Sequence, residues 1–300
     1  MVNYQELFYD YLRFERNMAK NTRLIYEQGV GLFLEYLAKH SIELENVSPA
    51  DVRNYLRSLK EEGKSERTLA TYLVALRSFF AFLNKDNHIK NNPTILIETI
   101  KLPKKLPNVL SEDEMTRFLN IISIDDEVGL RDRALFEYMY STGSRVSEVT
   151  DLKFNQLSLP DGAVIIQGKG NKQRIAFLSD AAINYLADYL RDSRPKLLGK
   201  KDSNYVFVGA RSEHLDRSYV LKACKKYGME AGIKKEISPH TIRHSFATHL
   251  LENDAELLTV KTLLGHANVS TTQIYTHISN KHLRSIYNSA HPFGKKDENK

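Results

Sequence analysis

Over the first ninety or so positions apolar residues recur every three or four places, and no stretch alternates with the two-residue period of a half-buried strand. Leu7, Tyr11 and Phe14 mark a first helix. A second starts at Asn21 or Thr22 and carries Tyr26, Val30, Phe33, Leu34 and Leu37 on its apolar side. Ser48-Pro49 reads as an N-cap with proline at the first helical position, opening a third helix with Val52, Tyr55, Leu56 and Leu59, and a fourth runs from Ser65 to about Asn84. Short connections between such helices imply packed neighbours, so residues 1–90 are expected to form a four-helix domain. From Asn91 to Leu110 the periodicity stops and Pro93, Pro103 and Pro107 stand among Lys101, Lys104 and Lys105, the composition of a linker.

Ser111-x-x-Glu114 is a capping box that opens a second domain, expected over 111–290, with a flexible tail over 291–300. Two helices, about 112–122 and 129–141, lead to a break at Thr142-Gly143, so that Arg145 emerges at the start of the next helix, Val146 to Asp151. Ala163–Gln167 and Arg174–Leu178 are short β-rich runs flanking Gly168-Lys169-Gly170-Asn171-Lys172, a predicted hairpin with Lys169 at its tip. Helices near 180–191 and 216–228 follow, separated by a short apolar run at Tyr205–Val208. Ser238-Pro239 then starts a helix to about Asn253, Glu256–Leu264 forms another that stops at Gly265, and a last helix covers about Asn280 to Asn288. The expected fold is mainly α: an N-terminal four-helix domain and a C-terminal mixed α/β domain, mostly helical with a small β-sheet.

Three hundred residues with 42% hydrophobic content suffice for a core in each of two domains. The net charge of +6 leans mildly towards polyanionic partners. Residues 1–90 hold thirteen Lys and Arg against twelve Asp and Glu, so any nucleic-acid contact there has to come from charge placed on one face. Cys224 is the only cysteine, which excludes an intrachain disulfide and argues against a Cys-based zinc site. The N-terminus has charges throughout and no apolar core, and no window reaches the roughly 18 apolar residues of a membrane span, so a cytoplasmic protein with no membrane partner is expected.

The chemistry concentrates in SPHTIRHSFATHLLENDAELLTVKTLLGHANVSTTQIYTH. His240 and Arg243 lie three residues apart on the first turn of a helix, at the positive end of its dipole, where unsatisfied N–H groups favour an anion. His266 follows Gly265 at a turn, and Tyr275 comes nine residues later. Other readings were open to these residues. His240 and His244 have the H-x-x-x-H spacing of a zinc helix, but Thr241 stands where a protease has its glutamate, and Arg243 would set a cation beside the metal. GKGNK is not a P-loop, because the full motif is missing and no helix follows. An isolated Arg145 pairs with Glu148 or Asp151 on the surface; Lys172 and Arg174 read as contacts to a polyanion's backbone or plain surface charge; His244, His249 and His277 read as structural or supporting groups.

H-x-x-R-H, then LLGH, then nine residues to YTH resembles the tyrosine recombinase (phage integrase) family, and HTIRHSFATHLL, LLGHANVSTTQIYTH and HLRSIYNSAHP are similar to its Xer type. Arg145 in TGSRVSEVTDL and Lys169 in GKGNKQR fill the two upstream positions of the family pattern, and the likeness covers nearly the whole chain. One departure is Ser144, where the family more often has an apolar residue, which puts the packing behind Arg145 in doubt. The resemblance implies a site-specific recombinase that cuts and rejoins DNA through a 3′-phosphotyrosyl link. Tyr275 would be the nucleophile, Arg145 and Arg243 the phosphate ligands, Lys169 the general acid, His240 the base or hydrogen-bond partner of the tyrosine, and His266 a phosphate contact. No metal or nucleotide cofactor is implied. The implied partners are a double-stranded recombination site, a homo- or heterotetramer with a second Xer recombinase on two duplexes, and a septal DNA translocase, in the resolution of chromosome dimers at cell division. Residues 1–90 would be a core-binding domain, and the last helix would dock on a neighbouring protomer, although docking in cis is equally permitted. An integrase of a mobile element and a type IB topoisomerase-like relaxing enzyme are the alternatives.

Overall fold

A computed structural model of the chain describes residues 3–100, 102, 108–168, 173–210, 213–265 and 280–294. It divides into two compact units, Met1–Lys105 and Leu106–Lys300.

The first unit is built from α1 (Tyr4–Asp10), which runs on into a π-helical turn at Tyr11–Glu15, α2 (Lys20–Lys39), α3 (Pro49–Glu61) and α4 (Glu66–Lys85). Ser48 and Asp51 cap α3 reciprocally, and Ser65 caps α4. Leu73, Leu76, Phe79, Phe80 and Leu83 of α4 form the centre of the core, with the Phe33 ring 5.0 Å from Tyr55 and Phe8 5.2 Å from Phe79. At the first helix the structure corrects the sequence reading. Phe8 and Leu12, spaced four apart, face inward, whereas Leu7 and Phe14 point to solvent. The expected linker also differs: Ile97 packs on this core, and Arg77 donates to the Ile97 carbonyl and the Thr99 hydroxyl, so its first half is fastened to α4.

In the second unit α5 (Glu112–Asn120) leads to α6 (Glu127–Thr142), which is buried on nearly every side from Arg131 onward. Around α6 are α8 (Asp180–Asp188), a π-helical turn at Tyr189–Ser193 that joins it to α9 (Arg194–Leu198), and α11 (Pro239–Glu252). The remaining helices are α7 (Val146–Thr150), α10 (Arg217–Glu230), α12 (Leu257–Leu264) and α13 (Asn280–Ala290). Among the described residues the sheet has three antiparallel strands rather than the two of the predicted hairpin: β1 (Leu157–Ser158), β2 (Ala163–Gln167) and β3 (Gln173–Phe177), in that order. In the apolar run Tyr205–Val208 only Val206, Phe207 and Val208 are buried, and no strand forms beyond a single bridge from Tyr205 to Lys153; the Val206 amide donates to the Leu152 carbonyl, and Val208 to the Tyr189 hydroxyl.

Leu110, expected at the end of the linker, is buried here, donating to Ser245 and accepting from His249. The expected tail likewise starts inside the core. His291 is buried, its ring 4.9 Å from Tyr287 and 4.8 Å from Tyr140, with Nε2 against the Tyr140 carbonyl, and burial holds its pKa down at about 3. The helix α13 preceding it packs in cis on α11 and β3.

A helix buried all round must satisfy its own polar groups. On α6 the guanidinium of Arg131 pairs with Asp132 at 2.8 Å, and Asp132 also accepts from the hydroxyls of Tyr219 (2.7 Å) and Tyr227 (2.9 Å) on α10. Truncating this carboxylate leaves a buried cation unpaired, so Asp132→Ala is expected to cost about 3–5 kcal/mol, against about 1 kcal/mol for Tyr219→Phe, in urea-unfolding measurements.

Candidate active site

Three local devices set the site. Helix α6 ends at Gly143 in a left-handed conformation (φ 57°), where a Cβ would lie 2.5 Å from the Phe246 ring. The chain thereby turns sharply and places Arg145 at the N-cap of α7. The Ser238–Thr241 capping box and Pro239 start α11, with His240 exposed on its first turn and Arg243 buried one turn on. Helix α12 ends at Gly265, also left-handed (φ 65°), the last described residue before His266.

These elements converge on Glu148 of α7. Arg145 donates its backbone N–H to Glu148 Oε2 (2.9 Å) and its Nη1 to Oε1 (2.8 Å). Arg174 of β3 donates Nη2 to Oε2 (3.0 Å) and Nε to the Leu263 carbonyl (2.8 Å). Arg243 donates Nη1 to the Gly143 carbonyl (2.6 Å) and Nη2 to the Leu264 carbonyl (2.8 Å), and its Nη1 lies 3.9 Å from Oε2. Glu148 is 9% exposed, Arg174 5% and Arg243 8%, whereas 38% of the Arg145 side chain is open.

The electrostatics follow from this crowding. Burial pushes the Glu148 carboxyl up, but the charge and hydrogen bond of Arg174 and the two bonds from Arg145 outweigh it and hold the group below its ordinary value. Burial, then repulsion from Arg145 and Arg174, lowers Arg243 to about 10, which leaves it protonated at neutral pH. Beside Arg145 opens a cleft of about 620 Å³ whose lining includes Glu148, Lys153, Asn155, Gln167 and Arg217. The Arg145 fork at the wall of such a cleft suits the non-bridging oxygens of a phosphate.

Of the six residues singled out in the sequence, the structure brings Arg145 and Arg243 together on one carboxylate and places His240 one turn before Arg243 on α11. Lys169, His266 and Tyr275 lie outside the described residues. Two residues had been read differently. Arg174 is not surface charge: the two-residue period of β3 puts it on the inner face with Ala176, opposite Ile166. Glu148 is not a surface partner of Arg145 but a buried hub. Ser144 does not loosen the packing. It is fully buried, 2.6 Å from the Thr142 hydroxyl, which itself donates to the Tyr138 carbonyl.

Residues 108–282 match the phage integrase family, and residues 6–87 match the N-terminal SAM-like domain of phage integrases. The chain belongs to the phage integrase family. It is 40% identical over 290 residues to the tyrosine recombinase XerD of Oceanobacillus iheyensis, covering 96% of this chain and 97% of that protein. To XerD of Listeria monocytogenes serotype 4b it is 41% identical over 293 residues, covering 96% and 99%. Among solved structures, the XerH site-specific recombinase bound to palindromic difH substrate, a post-cleavage complex, aligns with a TM-score of 0.70 at 28% identity, over 90% of this chain and 80% of that one. The family is one of site-specific tyrosine recombinases, so this chain is a DNA breaking and rejoining enzyme. The mainly α fold with a small sheet, expected from the sequence, is the fold found. No helix among the described residues is long and apolar enough to cross a membrane.

Two predictions test this geometry. A Cβ at Gly265 would meet Arg174 Cδ at 2.9 Å in a left-handed backbone, so Gly265→Ala is expected to cost about 1–2 kcal/mol or more in thermal unfolding. Glu148 has a depressed carboxyl pKa, so its stabilisation is present above the unfolded-state value and is lost as the pH falls through the folded one. Glu148→Gln is therefore expected to cost about 3 kcal/mol at pH 7, with the gap from wild type closing below about pH 4; a gap constant from pH 7 to 3 would contradict it.

Proposed function

We propose that this site cuts one DNA strand by attack of the Tyr275 hydroxyl on a phosphodiester, and rejoins it by attack of a 5′-hydroxyl on the resulting link. The phosphorus–oxygen bond to the 5′-oxygen breaks, a 3′-phosphotyrosine forms, and the displaced 5′-oxygen leaves as a hydroxyl. The observation that carries the reading is the pair Arg145 and Arg243, drawn from two different helices to one carboxylate beside an open cleft. Both are cationic at neutral pH and offer planar forks to an oxyanion whose charge is most concentrated in the transition state.

Each remaining role answers a need of the chemistry. A phenol of ordinary pKa near 10 needs help to lose its proton, and His240, exposed one turn before Arg243, is the candidate base or hydrogen-bond partner. Lys169 protonates the departing 5′-oxygen, and His266 holds the scissile phosphate. The covalent link preserves bond energy, so rejoining needs no nucleotide, and two guanidiniums fill the place a divalent metal would take.

The unit up to Lys105 acts as a core-binding domain and the unit from Leu106 onward as the catalytic domain. The likeness to XerD proteins across nearly the whole chain supports chromosome-dimer resolution at cell division. The substrate is a double-stranded recombination site, and XerH is known in complex with such DNA. The working assembly is a tetramer on two duplexes, formed with itself or with a second Xer recombinase, activated by a septal DNA translocase, in the cytoplasm.

A nicked suicide substrate carrying a candidate site from the same genome, incubated in EDTA, is expected to yield a covalent protein–DNA adduct that Tyr275→Phe abolishes. Lys169→Ala is expected to slow adduct formation by about 10²–10⁴. An adduct that survives Tyr275→Phe, or that EDTA prevents, would sink the reading.

A further inference from the structure

We propose that Arg174 is a positioning residue for strand cleavage: by occupying Glu148 Oε2 it keeps that carboxylate from neutralising Arg243, leaving both Arg145 and Arg243 for the phosphate. The proposal rests on the catalytic reading of Arg145 and Arg243 given above. Arg174 lies deeper than Arg145, which lines the cleft. Its side chain is 4% exposed, and its Nε and Nη2 are engaged by the Leu263 carbonyl and Glu148.

The distances show how one oxygen is shared. Glu148 Oε2 accepts from the Arg145 amide at 2.9 Å and from Arg174 at 3.0 Å, while Arg243 Nη1 stands off at 3.9 Å and bonds the Gly143 carbonyl instead. Three guanidiniums around one carboxylate leave two net positive charges, which is the charge a phosphodiester approaching its transition state needs. Remove the charge of Arg174 and Oε2 loses its buried partner. The nearest replacement donor is Arg243 Nη1, so the carboxylate turns to it, the net charge falls to one, and the Arg243 fork is drawn away from Gly143.

Arg174 also joins two segments in which catalysis is proposed. It lies five residues after Lys169 in the sequence, and the carbonyl it binds lies three residues before His266. Its chain passes directly over Gly265, where a Cβ would meet its Cδ. The strand β3 is thereby tied to the end of α12.

The charge argument makes a prediction that a merely structural role does not. Neutralising Glu148 in a protein that already lacks Arg174 restores the net charge of two, and a glutamine keeps a carbonyl oxygen for Arg145. Wild type, R174Q, R174K and the double variant R174Q/E148Q are compared as full-length proteins in single-turnover cleavage of the nicked substrate at saturating protein. Rates are expressed per folded molecule, with the folded fraction from circular dichroism and DNA affinity from anisotropy. R174Q is expected to cleave about 100-fold more slowly with affinity changed less than about threefold, and the double variant to recover at least about tenfold of that loss. R174K, which keeps the charge and gives up one of two hydrogen bonds, is expected to stay within about tenfold of wild type. A double variant no faster than R174Q, or R174Q within about threefold of wild type, overturns the proposal. Should R174Q fail to fold, R174K decides: a folded R174K slowed by about 100-fold or more overturns it, and one within tenfold supports it. Absence of any adduct from wild type would instead count against the catalytic reading itself.

Discussion

The second unit depends on one buried carboxylate shared by three guanidiniums. Glu148 caps α7 through the Arg145 amide, orients the Arg145 side chain, partners Arg174 and stands 3.9 Å from Arg243. A carboxylate buried to this degree would ordinarily take up a proton, and arginines packed this closely would repel. Each supplies what the other lacks: the cations keep the carboxylate ionised, and the carboxylate permits the cations to be held together out of water. Breaking one member of such a cluster costs more than replacing it whole, since what remains is an uncompensated buried charge.

The carboxylate is one of two sources of negative potential, and helix C-termini are the other. Arg243 donates to the carbonyls of Gly143 and Leu264, and Arg174 to that of Leu263. These are orphan carbonyls at the ends of α6 and α12, which lack partners inside their own helices and carry the negative pole of the dipole. Two glycines in left-handed conformation end those helices and bring the carbonyls within reach of the guanidiniums. The apolar side chains Phe246 and Leu264 close over Gly143, so the turn that presents Arg145 is also part of the hydrophobic core.

What the sequence disclosed, and what it hid, follows from the range of the interactions involved. Caps are local, so Ser48, Ser111 and Ser238 located three helix starts, and Gly143 and Gly265 two helix ends. Arg145 and Arg243 stood out through their motifs, but their shared partner did not. Glu148 sits three residues from Arg145, and nothing in that spacing tells that β3 and α11 close over it. Arg174 was hidden for a related reason. In Arg-Ile-Ala-Phe the isoleucine is the natural inward residue, yet the register of β3 on β2 turns Ile175 outward and Arg174 in, which is tolerable only because a carboxylate 26 residues earlier meets it. The first helix slipped by similar logic: Leu7 and Phe14 are as apolar as Phe8 and Leu12, and packing on α4 makes the choice. His291 looked like the start of a polar tail because its aromatic partners, Tyr140 and Phe246, come from α6 and α11, far away in sequence.

The modest net charge of +6 now has a physical reading. Exposed lysines act through water and salt, and their attraction for a polyanion fades beyond about 10 Å at 0.1 M ionic strength. The buried arginines act at contact distance, in a site where an effective dielectric well below that of water strengthens every charge and salt screens little. A chain of modest net charge can therefore still hold a strong cationic centre, provided that few charges are placed, desolvated and only partly neutralised. Arg145, Arg174, Arg243 and Glu148 meet that condition: the single carboxylate is enough to hold the cations together and too little to cancel them.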